Sequence, residues 1–190
     1  MGTNVYFVRH CEPNAENRDD FSRELSAKGL KDCKLVTDYL SDKDIDIIYS
    51  SPYKRAVDTI KEFADKSSLE IHVIDDLHER VVGGWVDDFG EFVNLQWKDH
   101  TYKLPEGESL EEVQRRNINA LNEILKNNKG KNIAIASHGT AISTVINYYQ
   151  PTFGINDFHE IVQLMPFIAL FKFDEDGRFV GLSEHRFTDR

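Results

Sequence analysis

Two histidines sit in settings suited to group transfer. His10 directly follows an arginine in Val8-Arg9-His10-Cys11-Glu12-Pro13, and His138 precedes a glycine in Ala136-Ser137-His138-Gly139. Arg55 closes Ser50-Ser51-Pro52-Tyr53-Lys54-Arg55, and Glu79 lies in Leu77-His78-Glu79-Arg80. Imidazole, guanidinium and carboxyl groups together fit phosphoryl transfer. A phosphate monoester is a dianion whose transition state spreads charge over three equatorial oxygens, so positioning and electrostatics supply most of the catalysis. Arg9 and Arg55 can each donate paired hydrogen bonds to those oxygens. A histidine with an unprotonated nitrogen can attack phosphorus. A carboxylic acid such as Glu79 can protonate the leaving oxygen, and its carboxylate can then activate water. On residue type alone, either His10 or His138 can be the nucleophile.

Each of these groups follows a short apolar run. Residues 5–8, 45–49, 71–74 and 133–136 read as buried strands. Between them lie segments of helical spacing. Residues 26–40 carry Leu30, Cys33, Val36, Tyr39 and Leu40 behind a Ser26 N-cap, and Pro52 opens a helix burying Ala56, Val57, Ile60, Phe63 and Ala64. Ser109-Leu110-Glu111-Glu112 is a capping box for the next helix, and residues 141–149 form another. Residues 167–173 and 179–182, joined by Asp174-Glu175-Asp176-Gly177, read as a closing hairpin. Alternating strands and helices predict an α/β fold: a three-layer, doubly wound, mostly parallel sheet with helices on both faces and a C-terminal hairpin. Ligands of such sheets bind beyond the carboxyl ends of the strands, where all the candidate residues fall. Residues 1–190 are expected to form one domain. Residues 81–105 are long, weakly periodic and aromatic, holding Trp85, Phe89, Phe92, Trp97 and Tyr102. They read either as an inserted pocket wall or as a small satellite core, and their aromatics offer a surface for a homodimer.

The motifs resemble those of the histidine phosphatase superfamily, also called phosphoglycerate mutase-like. The segment around His10 is similar to its Arg-His-Gly-Glu signature, and residues 50–56 to its Ser-Ser-Pro-x-x-Arg-Ala segment. Leu77-His78-Glu79-Arg80 with Gly84-Trp85 resembles its acid-bearing segment, residues 136–139 its second histidine motif, and Leu25-Ser26-Ala27-Lys28-Gly29 its first helix. The resemblance runs from Val5 to about Val145, in family order. It implies that His10 is the nucleophile, that Arg9, Arg55 and His138 bind phosphate, and that Glu79 is the proton donor. It also implies phosphate contacts from the Gly139 backbone N–H and the Asn17 side chain, the latter about one position off the usual spacing. Cys11 replaces the usual glycine. A cysteine fits if its φ is negative; it reads either as a packed small residue or as an oxidation-sensitive thiol beside Arg9.

Composition narrows the partner. The net charge of −10 repels polyanions, so no nucleic acid is expected, and no apolar run is long enough to span a membrane. The N-terminus lacks a basic region followed by an apolar stretch, and Cys11 and Cys33 are the only cysteines, so the expected location is cytoplasmic. The expected partner is a small phosphorylated substrate. No cofactor is expected. No metal is expected either, since Arg9 would repel a cation from His10 and the spacing of His10, Glu79 and His138 matches no metal motif. The function this implies is a metal-independent phosphatase working through phosphohistidine. The main competitor is a phosphoglycerate mutase. Against it stand Pro13 in place of the mutases' serine, the lack of their following aromatic-asparagine pair, and the acids Asp87, Asp88 and Glu91 in the wall segment, which would disfavour a substrate carrying both carboxylate and phosphate. A catalytically inactive binding module would be expected to lack one of the key residues, and all are present.

Overall fold

The structure is a computed structural model that describes residues 2–187. Its elements run β1 (Thr3–Arg9), α1 (Ala27–Leu40), β2 (Ile47–Ser50), α2 (Lys54–Ser67), β3 (Ile71–Val73), a 3₁₀ turn (Asp75–Leu77), α3 (Phe89–Lys98), α4 (Leu110–Asn127), β4 (Asn132–Ser137), α5 (Gly139–Tyr149), α6 (Ile155–Val162), β5 (Phe167–Phe173) and β6 (Phe179–Arg186). The strands form one sheet in the order β3-β2-β4-β1-β5-β6. The pairs β1–β4, β2–β4 and β2–β3 are parallel, while β5 is antiparallel to β1 and to β6. This is the expected mostly parallel sheet closed by a hairpin.

Both faces of the sheet are covered, so the central strands read as continuous apolar runs. Period-2 alternation still divides them. Val5 and Phe7 of β1 pack with Ile133, Ile135, Leu121 and Ile142 on the α4–α5 side. Tyr6 and Val8 pack with Ala134, Ala136, Val36 and Ile60 on the α1–α2 side. Helix starts follow their caps. The Ser26 side chain accepts from Gly29 N at the head of α1, and Ser109 with Glu112 forms the complete capping box of α4. Such a cap is worth about 1 kcal/mol.

Residues 81–105 contain a regular element that the sequence pattern did not reveal. Asp88 caps α3 by accepting from Glu91 N, and the helix buries Phe92, Val93, Gln96 and Trp97. Phe89 and Leu95 lie on the same helix but are exposed, which blurs the apolar period. Helix α6 has only eight residues and buries just Phe158 and Ile161, too little to register as a periodic signal. Among the described residues, no helix is long and apolar enough to cross a membrane.

Candidate active site

The site is built where three strands end together. In the parallel register Arg9 lies opposite Ser137 and Ser50 opposite Ala136. The ladder continues one step further: His10 N–H donates to Ser137 O (3.1 Å) and Ser51 N–H to Ala136 O (2.9 Å). The chain therefore leaves β1, β2 and β4 side by side. His10 and His138 meet there, their rings 5.2 Å apart between centroids.

His10 is buried and its tautomer follows from its partners. Nδ1 lies 2.7 Å from Cys11 O, and a carbonyl only accepts, so Nδ1 carries the proton. Nε2 then accepts from Arg55 Nε–H at 3.3 Å. Burial, reinforced by the Arg9 and Arg55 charges, holds the His10 pKa well below the ordinary 6.5. The Nε2 lone pair is therefore free of a proton at neutral pH.

His138 is fully buried, and its Nε2 lies 2.7 Å from Ser51 Oγ. Ser51 Oγ accepts from Tyr53 N–H (3.2 Å), which leaves its hydroxyl hydrogen to donate to His138 Nε2 and the imidazole proton on Nδ1; the Tyr53 ring packs edge-on to His138 at 5.1 Å. Burial, then the neighbouring His10 and Arg55, depress the His138 pKa as well. Among the described residues, neither the buried His138 Nδ1 nor the buried Arg9 Nε has a protein partner. Arg9 Nη1 is committed, donating to Ile161 O and Leu164 O at 2.8 Å each. Gly139 explains how that guanidinium fits. A Cβ there would stand 3.1 Å from Arg9 Nε and 3.3 Å from Cζ.

Arg55 comes from the first turn of α2. Its Nη1 donates to Asp20 O (2.6 Å) and pairs with Asp20 Oδ1 (3.2 Å), and its guanidinium lies over the Tyr53 ring. The Glu79 carboxylate accepts from Thr140 N (3.1 Å) and Ala141 N (3.2 Å), at the positive N-terminus of α5, and from Arg80 N (2.8 Å). Arg9, His10, Arg55 and Glu79 line one cleft of about 660 Å³, with Arg18, Arg23 and Arg80 around them and Val82, Trp85, Val86 and Phe89 as an apolar wall.

The fold thus brings Arg9, His10, Arg55 and Glu79 together in this cleft, with His138 against His10 and Gly139 against Arg9. Asn17 is not brought there. Its amide donates to Glu24 Oε2 (2.8 Å) and Ser22 O (3.3 Å), and its Oδ1 accepts from Asp19 N (3.0 Å), so it ties up its own loop.

The wall acids require a correction. Asp87, Asp88 and Glu91 do not line the cleft. Asp88 Oδ1 caps α3 through Glu91 N (2.8 Å), and Asp87 Oδ1 accepts from Trp85 Nε1 (2.9 Å). They give no reason to disfavour a carboxylate-bearing substrate. The charged group in the cleft from that part of the chain is a cation, Arg80, which the sequence did not single out. Arg80 is 5 % exposed, donates to Gln96 Oε1 (2.6 Å), and lies 5.1 Å and 5.4 Å over Phe92 and Phe89. Its Nε has no partner among the described residues. Its only sequence signal was its place directly after Glu79.

Cys11 is fully buried with negative φ, since Asp44 and Ser68 are the only described non-glycine residues at positive φ. Its N–H donates to Thr59 Oγ1 (2.9 Å). A hydrogen bond with Cys33, then burial, raises its pKa, so it is a packed thiol and not a thiolate.

Over residues 5–183 the chain matches the histidine phosphatase superfamily (branch 1). It belongs to that superfamily. It is 31 % identical over 150 residues to phosphoserine phosphatase 1 of Hydrogenobacter thermophilus, covering 70 % of each chain. It is 28 % identical over 166 residues to the metal-independent phosphoserine phosphatase of Arabidopsis thaliana, covering 75 % of this chain and 67 % of that one. The solved structure of a mutant phosphoserine phosphatase from Entamoeba histolytica, in complex with phosphoserine, superposes with a TM-score of 0.77 at 25 % identity, covering 98 % of both chains. The protein is a phosphomonoester hydrolase of the histidine phosphatase type.

Two buried histidines make this histidine phosphatase sensitive to acid even before catalysis. His10 and His138 both have folded pKa values depressed below 6.5. The unfolded chain therefore binds more protons than the folded one as pH falls below that value. The stability they contribute is fully present above about 6.5 and is lost as pH falls towards their folded values. Thermal melts of the free protein are expected to show Tm falling below neutrality, and less steeply in His138→Gln.

Proposed function

We propose that the protein hydrolyses a small phosphomonoester without a metal, through a phosphohistidine on His10, and that its substrate carries a carboxylate, as phosphoserine does. One observation carries the mechanism: His10 holds Nε2 unprotonated in the cleft, with Nδ1–H anchored on Cys11 O and Arg55 Nε beside the attacking atom. Nε2 attacks phosphorus and the P–O ester bond breaks. Arg9, Arg55 and His138 hold the equatorial oxygens, with Arg9 Nε and His138 Nδ1 as the unspent donors. Glu79, protonated, gives its proton to the leaving alkoxide. Its carboxylate then takes a proton from water as the water oxygen attacks the phosphohistidine. Phosphate leaves, and the Nε2 lone pair is restored.

Two observations support the carboxylate. The relatives named above are phosphoserine phosphatases. Arg80 lines the cleft as a buried cation that forms no close ion pair among the described residues, with only the more distant Glu79 and Glu108 charges to offset its burial. A buried, unpaired guanidinium carries a desolvation cost that an anionic ligand group would offset.

Turnover of O-phosphoserine in excess chelator, quenched in alkali and mapped by peptide mass spectrometry, tests the mechanism. A phosphoryl group on the His10 peptide is expected. A phosphoryl group on another residue, or activity abolished by the chelator, would overturn it. The substrate reading is tested by Arg80→Met. It is expected to raise KM for O-phosphoserine roughly 10-fold, about one charge-assisted hydrogen bond, while changing KM for p-nitrophenyl phosphate little. Equal changes on both substrates would refute a carboxylate contact.

A further inference from the structure

We infer that Arg116 and Glu108, which lie outside the cleft, are positioning residues that hold the backbone of Glu79 at proton-transfer distance. The inference rests on Glu79 being the acid proposed above.

Glu79 stands in a segment without regular structure, between the 3₁₀ turn and α3, so no ladder of its own fixes it. Arg116, on α4, supplies the missing bonds. Its Nη1 donates to Asp76 O and His78 O at 2.7 Å each, and its Nη2 to Glu79 O at 3.2 Å. The guanidinium is itself locked by a bidentate pair with Glu108, Nε to Oε1 at 2.8 Å and Nη2 to Oε2 at 2.9 Å. Glu108 grips the far side: Oε2 accepts from Val81 N (2.9 Å), and its own N–H donates to Val81 O (2.8 Å). The two side chains therefore clasp the chain from residue 76 to residue 81, with Glu79 in the middle.

Two glycines let the clasp close. A Cβ on Gly107 would lie 2.3 Å from Val82 O, and one on Gly83, at φ +83°, would lie 2.1 Å from Gly107 N. Neither Arg116 nor Glu108 lines the cleft. Both are well shielded, with side chains 12 % and 20 % exposed, so the pair is less screened than a surface ion pair. A planar five-donor fork serves three carbonyls and one carboxylate at once. Lysine at this position keeps the charge and loses the fork.

The physical consequence is selective. Glu79 is needed most when the leaving oxygen is a poor one. Displacing it by a fraction of an ångström would slow His10 phosphorylation by an alkyl ester and spare an aryl ester, whose oxygen leaves without a proton.

The test is the single-turnover rate of His10 phosphorylation with O-phosphoserine and with p-nitrophenyl phosphate, for Arg116→Lys and for Glu108→Gln. Thermal melts confirm that each variant is folded, and Glu108→Gln serves if Arg116→Lys is not. The alkyl rate is expected to fall roughly 10-fold or more and the aryl rate by less than about 3-fold, with phosphate affinity unchanged. In a Glu79→Gln background, Arg116→Lys is expected to add nothing further. Equal losses on the two substrates, or an additive loss in that background, would reduce the clasp to a general stabiliser and overturn the inference. Glu79→Gln alone separates the two layers. If it spares the alkyl ester, both the acid assignment and this inference fall. If it slows the alkyl ester selectively while the clasp variants do not, only the inference falls.

Discussion

Replacing His10 by alanine is expected to lower kcat on any phosphomonoester by roughly 10⁴-fold or more, the scale seen when a covalent nucleophile is removed. The neighbouring imidazole cannot take over. His138 is fully buried, its Nε2 lone pair is engaged by Ser51 Oγ, and its Nδ1 bears the proton offered to phosphate, so it has no lone pair to attack with. The phosphate ligands would survive the substitution. Arg9 is anchored on Ile161 O and Leu164 O, and Arg55, though it loses its Nε bond to His10, keeps both contacts to Asp20. Binding of O-phosphoserine, read by calorimetry, is therefore expected to stay within several-fold of wild type while turnover and the phosphoryl-enzyme vanish. More than about one per cent of wild-type kcat with a phosphoryl group still trapped would show that another residue accepts it.

Arg55→Ala is expected to cost roughly 10²–10³-fold in kcat, the range found for removing a preorganised donor from a developing oxyanion. It should also move the pH profile, and the sign is fixed by the site. The Arg55 charge is one of the forces, after burial and Arg9, that lower the His10 pKa. Without it that pKa rises towards the ordinary 6.5, so more His10 is protonated and unable to attack at a given acidic pH. The acid limb of kcat/KM is expected at higher pH in Arg55→Ala than in wild type. Arg55→Lys keeps the charge and loses the fork, so it should retain the wild-type limb with a reduced plateau. An acid limb unmoved in Arg55→Ala would mean that the guanidinium does not set the nucleophile's proton affinity.

A mutase and a phosphatase differ in what receives the phosphoryl group from His10. The chain carries Arg80 in the cleft where wall acids were expected, so electrostatics alone do not separate the two. The separation rests on kinship with the phosphoserine phosphatases, and on Pro13, which lines the cleft in place of the mutases' serine.

Much of this was legible from local signals. The strand runs, the Ser26 cap, the Ser109–Glu112 capping box and the hairpin all depend on residues within a few positions of each other, and each formed as read. His10 and His138 could be named because each directly follows a strand, and parallel strands deliver their carboxyl ends to one edge of a sheet. Other features depended on contacts between residues far apart in the chain. Asn17 lay near a familiar spacing, yet its loop closes on Glu24 and keeps the amide. Asp87 and Asp88 carry charge in any reading, but which way each points is set by the α3 cap and by Trp85. The Arg55 contact to His10 Nε2, the cation at Arg80 held by Gln96, and the grip of Arg116 on residues 76–81 exist only after α2, α3 and α4 have docked. Sequence by itself determined which chemistry the chain can perform, because residue types and strand ends are local properties. Tertiary structure alone decided which atoms face the cleft and which are consumed in holding them, because hydrogen-bond partners are chosen by packing across distant segments.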